Sequence, residues 1–168
     1  IFTRVLTKDG EILTKDGDIV PILETFIETH PDFSYKNARG ILALSGHAGT
    51  LGFRLTNNDE IEAATQVVEA LKSKGWIFAN HSYTHADGVY YSSSSVPEKI
   101  DEDFAKWTSK IGSIAGETTL FVAPFGYKLT GDSLQVVKEY GYNAYFIVDR
   151  RGDVSVIDGM TFFARVDI

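Results

Sequence analysis

The sequence contains no cysteine. Disulfides and thiolate metal sites are therefore excluded, and any metal ion must be bound by histidine, carboxylate or backbone oxygen. Basic residues are also in deficit: 16 lysines and arginines stand against 23 aspartates and glutamates, which gives a net charge of −7. This balance argues against nucleic acid or an anionic membrane as the main partner.

Long apolar runs are missing as well. No run approaches the roughly 20 residues that a membrane-spanning helix needs, and no signal peptide is recognisable, so we expect no membrane insertion. The 168 residues, 43% of them hydrophobic, suffice for one domain with a substantial core. We expect a single domain over residues 1–168, with a hairpin extension at 1–18 and a core of βα units at 19–168. Because the chain starts at Ile1 and not at Met, we also expect a segment upstream of it.

Strand and helix patterns alternate along the core. Helical spacing of apolar residues predicts helices at 19–29, 59–74, 97–115 and 131–140. Apolar runs predict strands at 40–44, 76–79, 119–123, 142–148, 154–157 and 161–166. The first has the pattern of a strand buried on both faces, and the second that of a buried strand. Such alternation is typical of a mainly parallel α/β sheet, in which the loops after the strands form the active site. We therefore expect the His47 loop, the loop after residue 79 and the Pro124 loop to converge.

A histidine pair follows the predicted strand 76–79. His81 and His85 are four residues apart, a spacing that places two side chains on one face of a helical turn. Two neutral imidazoles held this way can bind one metal ion, and the polar residues Asn80, Ser82 and Thr84 could orient them. The alternative is a pair satisfied by backbone or solvent. A carboxylate as third ligand would suit zinc hydrolysis or non-haem iron chemistry, so the ligands alone leave the reaction class open.

Two motifs resemble those of one family. The stretch Asn80-His81-Ser82-Tyr83-Thr84-His85 is similar to the N-H-[S/T]-x-x-H metal motif of polysaccharide deacetylases (carbohydrate esterase family 4, the NodB-homology domain). The stretch Phe121 to Tyr127 is similar to that family's R-x-P-[Y/F]-G motif, which forms one wall of the substrate groove. The order and separation of the two motifs also fit, over roughly residues 40–168.

The resemblance implies a distorted (β/α)7 barrel that removes acetyl groups from N- or O-acetylated sugars with a divalent metal, zinc above all. It implies His81 and His85 as metal ligands and Pro124, Phe125, Gly126 and Tyr127 as substrate-binding residues. The implied partner is an acetylated glycan or peptidoglycan, and the implied location is extracellular or at the cell envelope. The aromatic rings of Tyr90, Tyr91 and Phe125 could stack on sugar rings, and buried packing is an equal alternative for Phe125.

The chain also departs from the family pattern. The family's T-F-D-D-G motif, which supplies a metal ligand and the catalytic base, has no good counterpart, because the acids in Leu13 to Asp18 are spaced differently. We therefore expect the first strand and both aspartates upstream of Ile1. Val122 stands where the family usually has arginine, and no histidine follows His85 as general acid. Near the end of the chain, Arg165 is a candidate to line the groove instead.

These features predict a metal-dependent deacetylase domain. The alternative is a non-catalytic carbohydrate-binding barrel derived from the same family. An iron-dependent oxygenase is disfavoured, because its ligands usually come from an antiparallel barrel and not from βα units. His47 and Arg54 lie near a strand end and could touch substrate, although exposed polar side chains there need no such role.

Overall fold

The N-terminal Asp-Gly turn forms the predicted hairpin. Its strands β1 (Thr3–Thr7) and β2 (Gly10–Thr14) pair antiparallel as a separate two-stranded sheet. Gly10 has a φ of +123°, which residues with a Cβ atom rarely adopt. The hairpin belongs to a computed structural model that describes residues 2–166.

Six further strands form the main sheet: β3 (Ile41–Leu44), β4 (Ile77–Asn80), β5 (Leu120–Val122), β6 (Ala144–Val148), β7 (Val154–Ile157) and β8 (Met160–Arg165). Their order is β3-β4-β5-β6-β8-β7, and all neighbours are parallel except β7 and β8. The predicted α/β class with a mostly parallel sheet is thus confirmed. The predicted (β/α)7 barrel is not confirmed, because within residues 2–166 the sheet is open, with β3 at one edge and β7 at the other.

Helices connect these strands: α1 (Ile19–Thr29), α2 (Asn58–Ser73), α3 (Pro97–Trp107), α4 (Ser113–Ala115) and α5 (Gly131–Glu139). A π-helical stretch joins α3 to α4 over Thr108–Gly112, so the predicted helix at 97–115 is continuous but locally widened. Single turns of 3-10 helix occur at Pro31–Phe33, Tyr35–Asn37 and Pro124–Gly126. In the part of the chain that the structure describes, no helix has both the length and the apolar character to cross a membrane.

The core lies between one face of the main sheet and its helices. Phe104 of α3 packs edge-on against Phe121 of β5, with 4.9 Å between the ring centroids, and Tyr145 of β6 extends this aromatic cluster. A second cluster joins Phe78 of β4 to Trp107, together with apolar residues of α2. Because both clusters cover the same face, they fix the strands in register and align the strand ends that carry the site.

The opposite face of β3 and β4 is less covered than predicted. Ile41 pairs with Ile77 in the register of the two strands, and their exposed fractions are 41% and 51%. The predictions that β3 is buried on both faces and that β4 is a buried strand are therefore wrong at these positions. An apolar run reports what a strand can bury, whereas its actual burial depends on what packs on each face.

Helix α1 faces the core differently from the prediction. The pattern predicts an apolar face of Ile22, Leu23, Phe26 and Ile27. Leu23 and Ile27 do face the core, whereas Ile22 and Phe26 are 48% and 42% exposed. Glu24 is also buried, at 5% exposure. Its carboxylate accepts hydrogen bonds from Arg39 Nε at 2.6 Å and from Trp76 Nε1 at 2.8 Å. This buried ion pair places one charged residue on the inward side of α1, beside Pro21 and Ile27, and ties the helix to the start of β4.

Candidate metal site at the carboxyl ends of the strands

His81 follows the last residue of β4, and its position is fixed by both neighbouring strands. Its backbone N–H donates to the carbonyl of Leu44 at 2.9 Å, which extends the pairing of β3 with β4. Its ring Nδ1 lies 2.7 Å from the carbonyl oxygen of Val122 at the end of β5. A proton on Nδ1 satisfies this hydrogen bond and leaves the Nε2 lone pair available to a metal ion.

The pKa of His81 lies below its ordinary value. Burial of the ring is the main cause, and the nearby His85 and Arg165 lower it further, while the bond to the Val122 carbonyl acts in the opposite direction. A lowered pKa favours the neutral imidazole, the form that coordinates metals.

His85 lies beside His81, but not because of a helical turn. The two ring centroids are 4.9 Å apart. The segment between them is a tight turn, with a φ of +72° at Ser82 and +47° at His85. Hydrogen bonds from the His85 N–H to Ser82 Oγ at 2.9 Å and from the Ser82 N–H to Asn80 Oδ1 at 2.6 Å hold the turn. The predicted proximity is found, whereas the predicted helical geometry is wrong.

A residue that the sequence analysis missed holds the same turn. Asp103 of α3 is fully buried, and it accepts hydrogen bonds from the N–H groups of Tyr83 and Thr84 at 3.0 and 2.8 Å. It also accepts from Thr84 Oγ1 at 2.6 Å and from the Tyr91 hydroxyl at 2.7 Å. A signal was present, because Asp103 interrupts the apolar stripe of Ile100, Phe104 and Trp107, where an acid needs buried donors.

Tyr91 is therefore not a candidate for sugar stacking. Its side chain has no exposed surface. Burial, followed by the charge of Asp103, raises the pKa of its hydroxyl well above the ordinary value, so the hydroxyl remains a donor. The prediction that the Tyr91 ring contacts sugar is wrong, because the ring is part of the core and its polar end is bound to Asp103.

The Pro124 loop lies against the histidine pair. The ring of Phe125 is 4.8 Å from that of His85, is 49% exposed and is 6.4 Å from the ring of Tyr127. Gly126 has a φ of +72°, and a Cβ atom there would lie 2.4 Å from Val148 Cβ. Glycine is thus required for the loop to pass close to β6. Pro124 itself is buried beneath the turn.

Two further side chains approach the site, one from the end of β8 and one from the loop after β3. Arg165, at the end of β8, donates from Nη2 to the carbonyl of Ala123 at 3.0 Å. His47, in the loop after β3, has its Nδ1 3.1 Å from the carbonyl of Thr84, and its ring centroid is 6.3 Å from that of His85. His47 and His85 border a cavity of about 370 Å³. The three predicted loops therefore do meet at one edge of the sheet.

Within residues 2–166, no three histidine, aspartate or glutamate side chains converge closely enough to bind a metal ion. The pair of His81 and His85 can supply two ligands, and its donor chemistry suits zinc. A larger cavity, of about 840 Å³, lies at the other end of the strands, near Ile77 and Leu120. It borders none of the residues described above at the carboxyl ends of β4 and β5, so its size does not make it the candidate site.

Similarity to known proteins bears on the fold and on the family of the chain. No curated protein matches the chain. One solved structure is that of a protein of Mycobacterium smegmatis, described provisionally as a polysaccharide deacetylase. It is 14% identical, with a TM-score of 0.57, and the match covers 85% of this chain and 44% of that one. The chain thus spans less than half the length of that relative, and the likeness supports the fold.

A family 4 carbohydrate esterase of Streptomyces lividans, in complex with acetate, is 20% identical, with a TM-score of 0.45. That match covers 67% of this chain and 62% of the esterase. The family model for polysaccharide deacetylases matches residues 29–145, which include the histidine pair, Asp103 and the Pro124 loop. This match covers well over half of the sequence and confirms the resemblance found in its motifs. The chain belongs to the polysaccharide deacetylase family.

Proposed function

We propose that the protein is a metal-dependent hydrolase that removes acetyl groups from an N- or O-acetylated polysaccharide or peptidoglycan. The observation that carries the proposal is the histidine pair at the carboxyl end of β4, where His81 Nδ1 is bound to the Val122 carbonyl at 2.7 Å. That bond directs Nε2 away from the strand, in the orientation typical of metal-binding histidines. Family membership supports acetylated glycans as the substrate class, and an extracellular or cell-envelope location would follow from that substrate.

In this proposal His81 and His85 hold a divalent ion, with zinc as our choice. A bound zinc ion supplies an activated water at neutral pH and polarises the acetyl carbonyl. The third ligand and the catalytic base are the aspartates expected upstream of Ile1 from the family pattern. We also propose that the complete sheet closes into the predicted barrel. The less covered face of β3 and β4, which carries the half-exposed Ile41 and Ile77, would then line the barrel interior.

The substrate would lie along the wall formed by Phe125, Gly126 and Tyr127, and Pro124, which is buried, would support this wall without touching the sugar. The exposed ring of Phe125 can stack on the apolar face of a sugar ring while its edge touches His85. Arg165 uses one N–H on the Ala123 carbonyl, and its other donors can bind sugar hydroxyls or the acetyl oxygen.

The test measures zinc content and acetate release from N-acetylglucosamine oligomers by the full-length protein and its His81→Ala variant. We expect the variant to lose stoichiometric zinc and at least a hundredfold in acetate release, because it lacks a metal ligand. His30→Ala is the matched control, since His30 caps α1 through a bond to the Phe26 carbonyl at 3.1 Å and stacks on the Phe26 ring. Unchanged zinc and turnover in His81→Ala would refute the proposal.

A second candidate is a glycan-binding barrel without turnover. It is favoured by Val122 in the position where the family usually has arginine and by the lack of any histidine after His85. Binding of N-acetylglucosamine oligomers without acetate release by the zinc-loaded full-length protein would establish this candidate. Efficient turnover would exclude it.

A further inference from the structure

The buried carboxylate of Asp103 has no cation beside it. Within residues 2–166 it forms no ion pair, and its side chain is fully buried. Burying an uncompensated charge is costly unless several donors surround it. A carboxylate kept here must therefore be stabilised by the groups that it contacts.

Those groups belong almost entirely to the turn between the two histidines. Oδ1 accepts from the N–H and the hydroxyl of Thr84, and Oδ2 accepts from the N–H of Tyr83 and the hydroxyl of Tyr91. Three of these four bonds fix two consecutive residues that lie between His81 and His85. The turn needs such anchoring, because Ser82 and His85 both adopt positive φ values, which cost conformational energy in residues other than glycine.

We propose that Asp103 is a positioning residue that sets the distance and angle between the His81 and His85 rings. It touches neither ring; it acts through the backbone of Tyr83 and Thr84. The inference rests on the proposed function only in assigning a metal to the pair, because the spacing of the rings can be measured without one.

The chemistry of the site requires a carboxylate and not an amide. Each oxygen of Asp103 accepts from one backbone N–H and from one hydroxyl. In Asp103→Asn, one of these oxygens becomes an NH2 group, which faces a backbone N–H that cannot become an acceptor. The hydroxyl can rotate, but the N–H loses its partner. We therefore expect this nearly isosteric change to release one side of the turn.

The experiment compares Asp103→Asn with Glu24→Gln in the full-length protein. Glu24 is the matched control, because it is also a buried carboxylate, at 5% exposure. It is bound to Arg39 and Trp76, and none of its hydrogen bonds is to the turn. The first readout is the nuclear Overhauser effect between the His81 and His85 ring protons in metal-free protein. The second is the zinc affinity, measured by competition with a chelator.

We expect Asp103→Asn to lose the inter-ring effect and to lower zinc affinity by about tenfold or more, the usual result of removing a group that orients metal ligands. Glu24→Gln should keep both, whatever its melting temperature. An unchanged inter-ring effect in Asp103→Asn, or an equal loss in both variants, would overturn the inference. If the wild-type protein binds no zinc, the metal proposal fails, and the inter-ring effect still decides the role of Asp103.

A milder variant keeps the inference testable if Asp103→Asn does not fold. Thr84→Val removes only the hydroxyl bond to Oδ1 and the bond from the Ala86 N–H at 3.3 Å. Its control is Thr65→Val, which removes an exposed hydroxyl bond to the Ile61 carbonyl in α2. We expect a weaker inter-ring effect in Thr84→Val alone, and equal spectra in both variants would overturn the inference.

Discussion

Two buried carboxylates stabilise opposite ends of this molecule in different ways. Glu24 ties α1 to the start of β4, and its charge is balanced by the guanidinium of Arg39 at 2.6 Å. Asp103 holds the turn after the end of β4, and its charge is met by two backbone N–H groups and two hydroxyls. An ion pair fixes two side chains relative to each other, whereas a carboxylate surrounded by backbone donors fixes the path of the chain.

The difference corresponds to what each region contains. Around Glu24 the contacts hold only helix α1 against the start of β4, and an ion pair between two side chains is sufficient for that. Around Asp103 it must hold a turn with two positive-φ residues beside two imidazole rings. We therefore expect damage at Glu24 to appear as lost stability, and damage at Asp103 to appear as a changed metal site.

The largest expected effect on stability comes from removing Arg39. Its side chain and that of Glu24 are 6% and 7% exposed, so Arg39→Ala leaves a buried carboxylate without its cation. We expect the free energy of unfolding to fall by about 3 kcal/mol, the lower part of the range for breaking a buried pair. Urea denaturation measures this loss. The His81–His85 inter-ring effect should stay as in the wild type, and its disappearance would contradict the separation of the two regions.

A smaller effect is expected from acid, again at the Glu24 end. Burial acts to raise the pKa of Glu24, but the hydrogen bonds from Arg39 and Trp76 and the charge of Arg39 outweigh it and hold the pKa below the ordinary 4.5. A lowered pKa in the folded state means that the ion pair stabilises the protein fully above pH 4.5, and that this contribution is lost as the pH falls through the folded-state pKa.

The measurement is the unfolding free energy of wild type and Glu24→Gln between pH 7 and pH 3. We expect the gap between them to be widest near neutral pH and to close below pH 4.5. Glu11→Gln is the control, because the Glu11–Arg4 pair is long, at 3.7 Å, and exposed. The unfolding free energies of wild type and Glu11→Gln should therefore be nearly equal at every pH. If the difference in unfolding free energy between wild type and Glu24→Gln is constant or grows in acid, the charge of Glu24 does not stabilise the fold.

The two ends of the molecule also differ in what the sequence could predict. At the site, the histidine pair and the Pro124 loop follow apolar runs, and parallel strands place such loops at one edge of the sheet. The acid within the apolar stripe of α3 was a signal that Asp103 is buried, but its partners could not be predicted, because two of them are backbone N–H groups, which every residue carries. The turn between the histidines was predicted as helical because four-residue spacing cannot distinguish a helix from a turn stabilised by distant contacts.

At the other end, apolar spacing predicted the extent of α1 but not its orientation. Phe26 and Ile22 appear as core residues in the pattern but are exposed, while Glu24 is buried in a pair with Arg39, 15 positions along the chain. The same limit applies to Ile41 and Ile77, whose exposure depends on what packs against the second face of the sheet. Local patterns predicted the elements, and long-range polar contacts decided how they were oriented.

The smallest expected effect on stability comes from the substitution Phe125→Ala. This variant tests whether the region around the histidine pair also binds glycan. The ring is 49% exposed and touches His85, so Phe125→Ala should lower the unfolding free energy by only about 0.5 kcal/mol. The alanine of this variant keeps a Cβ atom at a φ of +56°, so the backbone strain is unchanged and only the ring is lost.

If the ring stacks on a sugar, its loss should weaken binding of N-acetylglucosamine oligomers by about fivefold, which corresponds to about 1 kcal/mol. Phe33→Ala removes a ring of similar exposure, 62%, near α1. Isothermal titration of both variants measures the effect. Because Phe33 packs against Phe26 at the Glu24 end, its loss should leave glycan affinity unchanged. Equal affinities for the two variants would mean that the Phe125 wall is not a sugar platform, and the site end would then differ from the α1 end by its histidines and their turn alone.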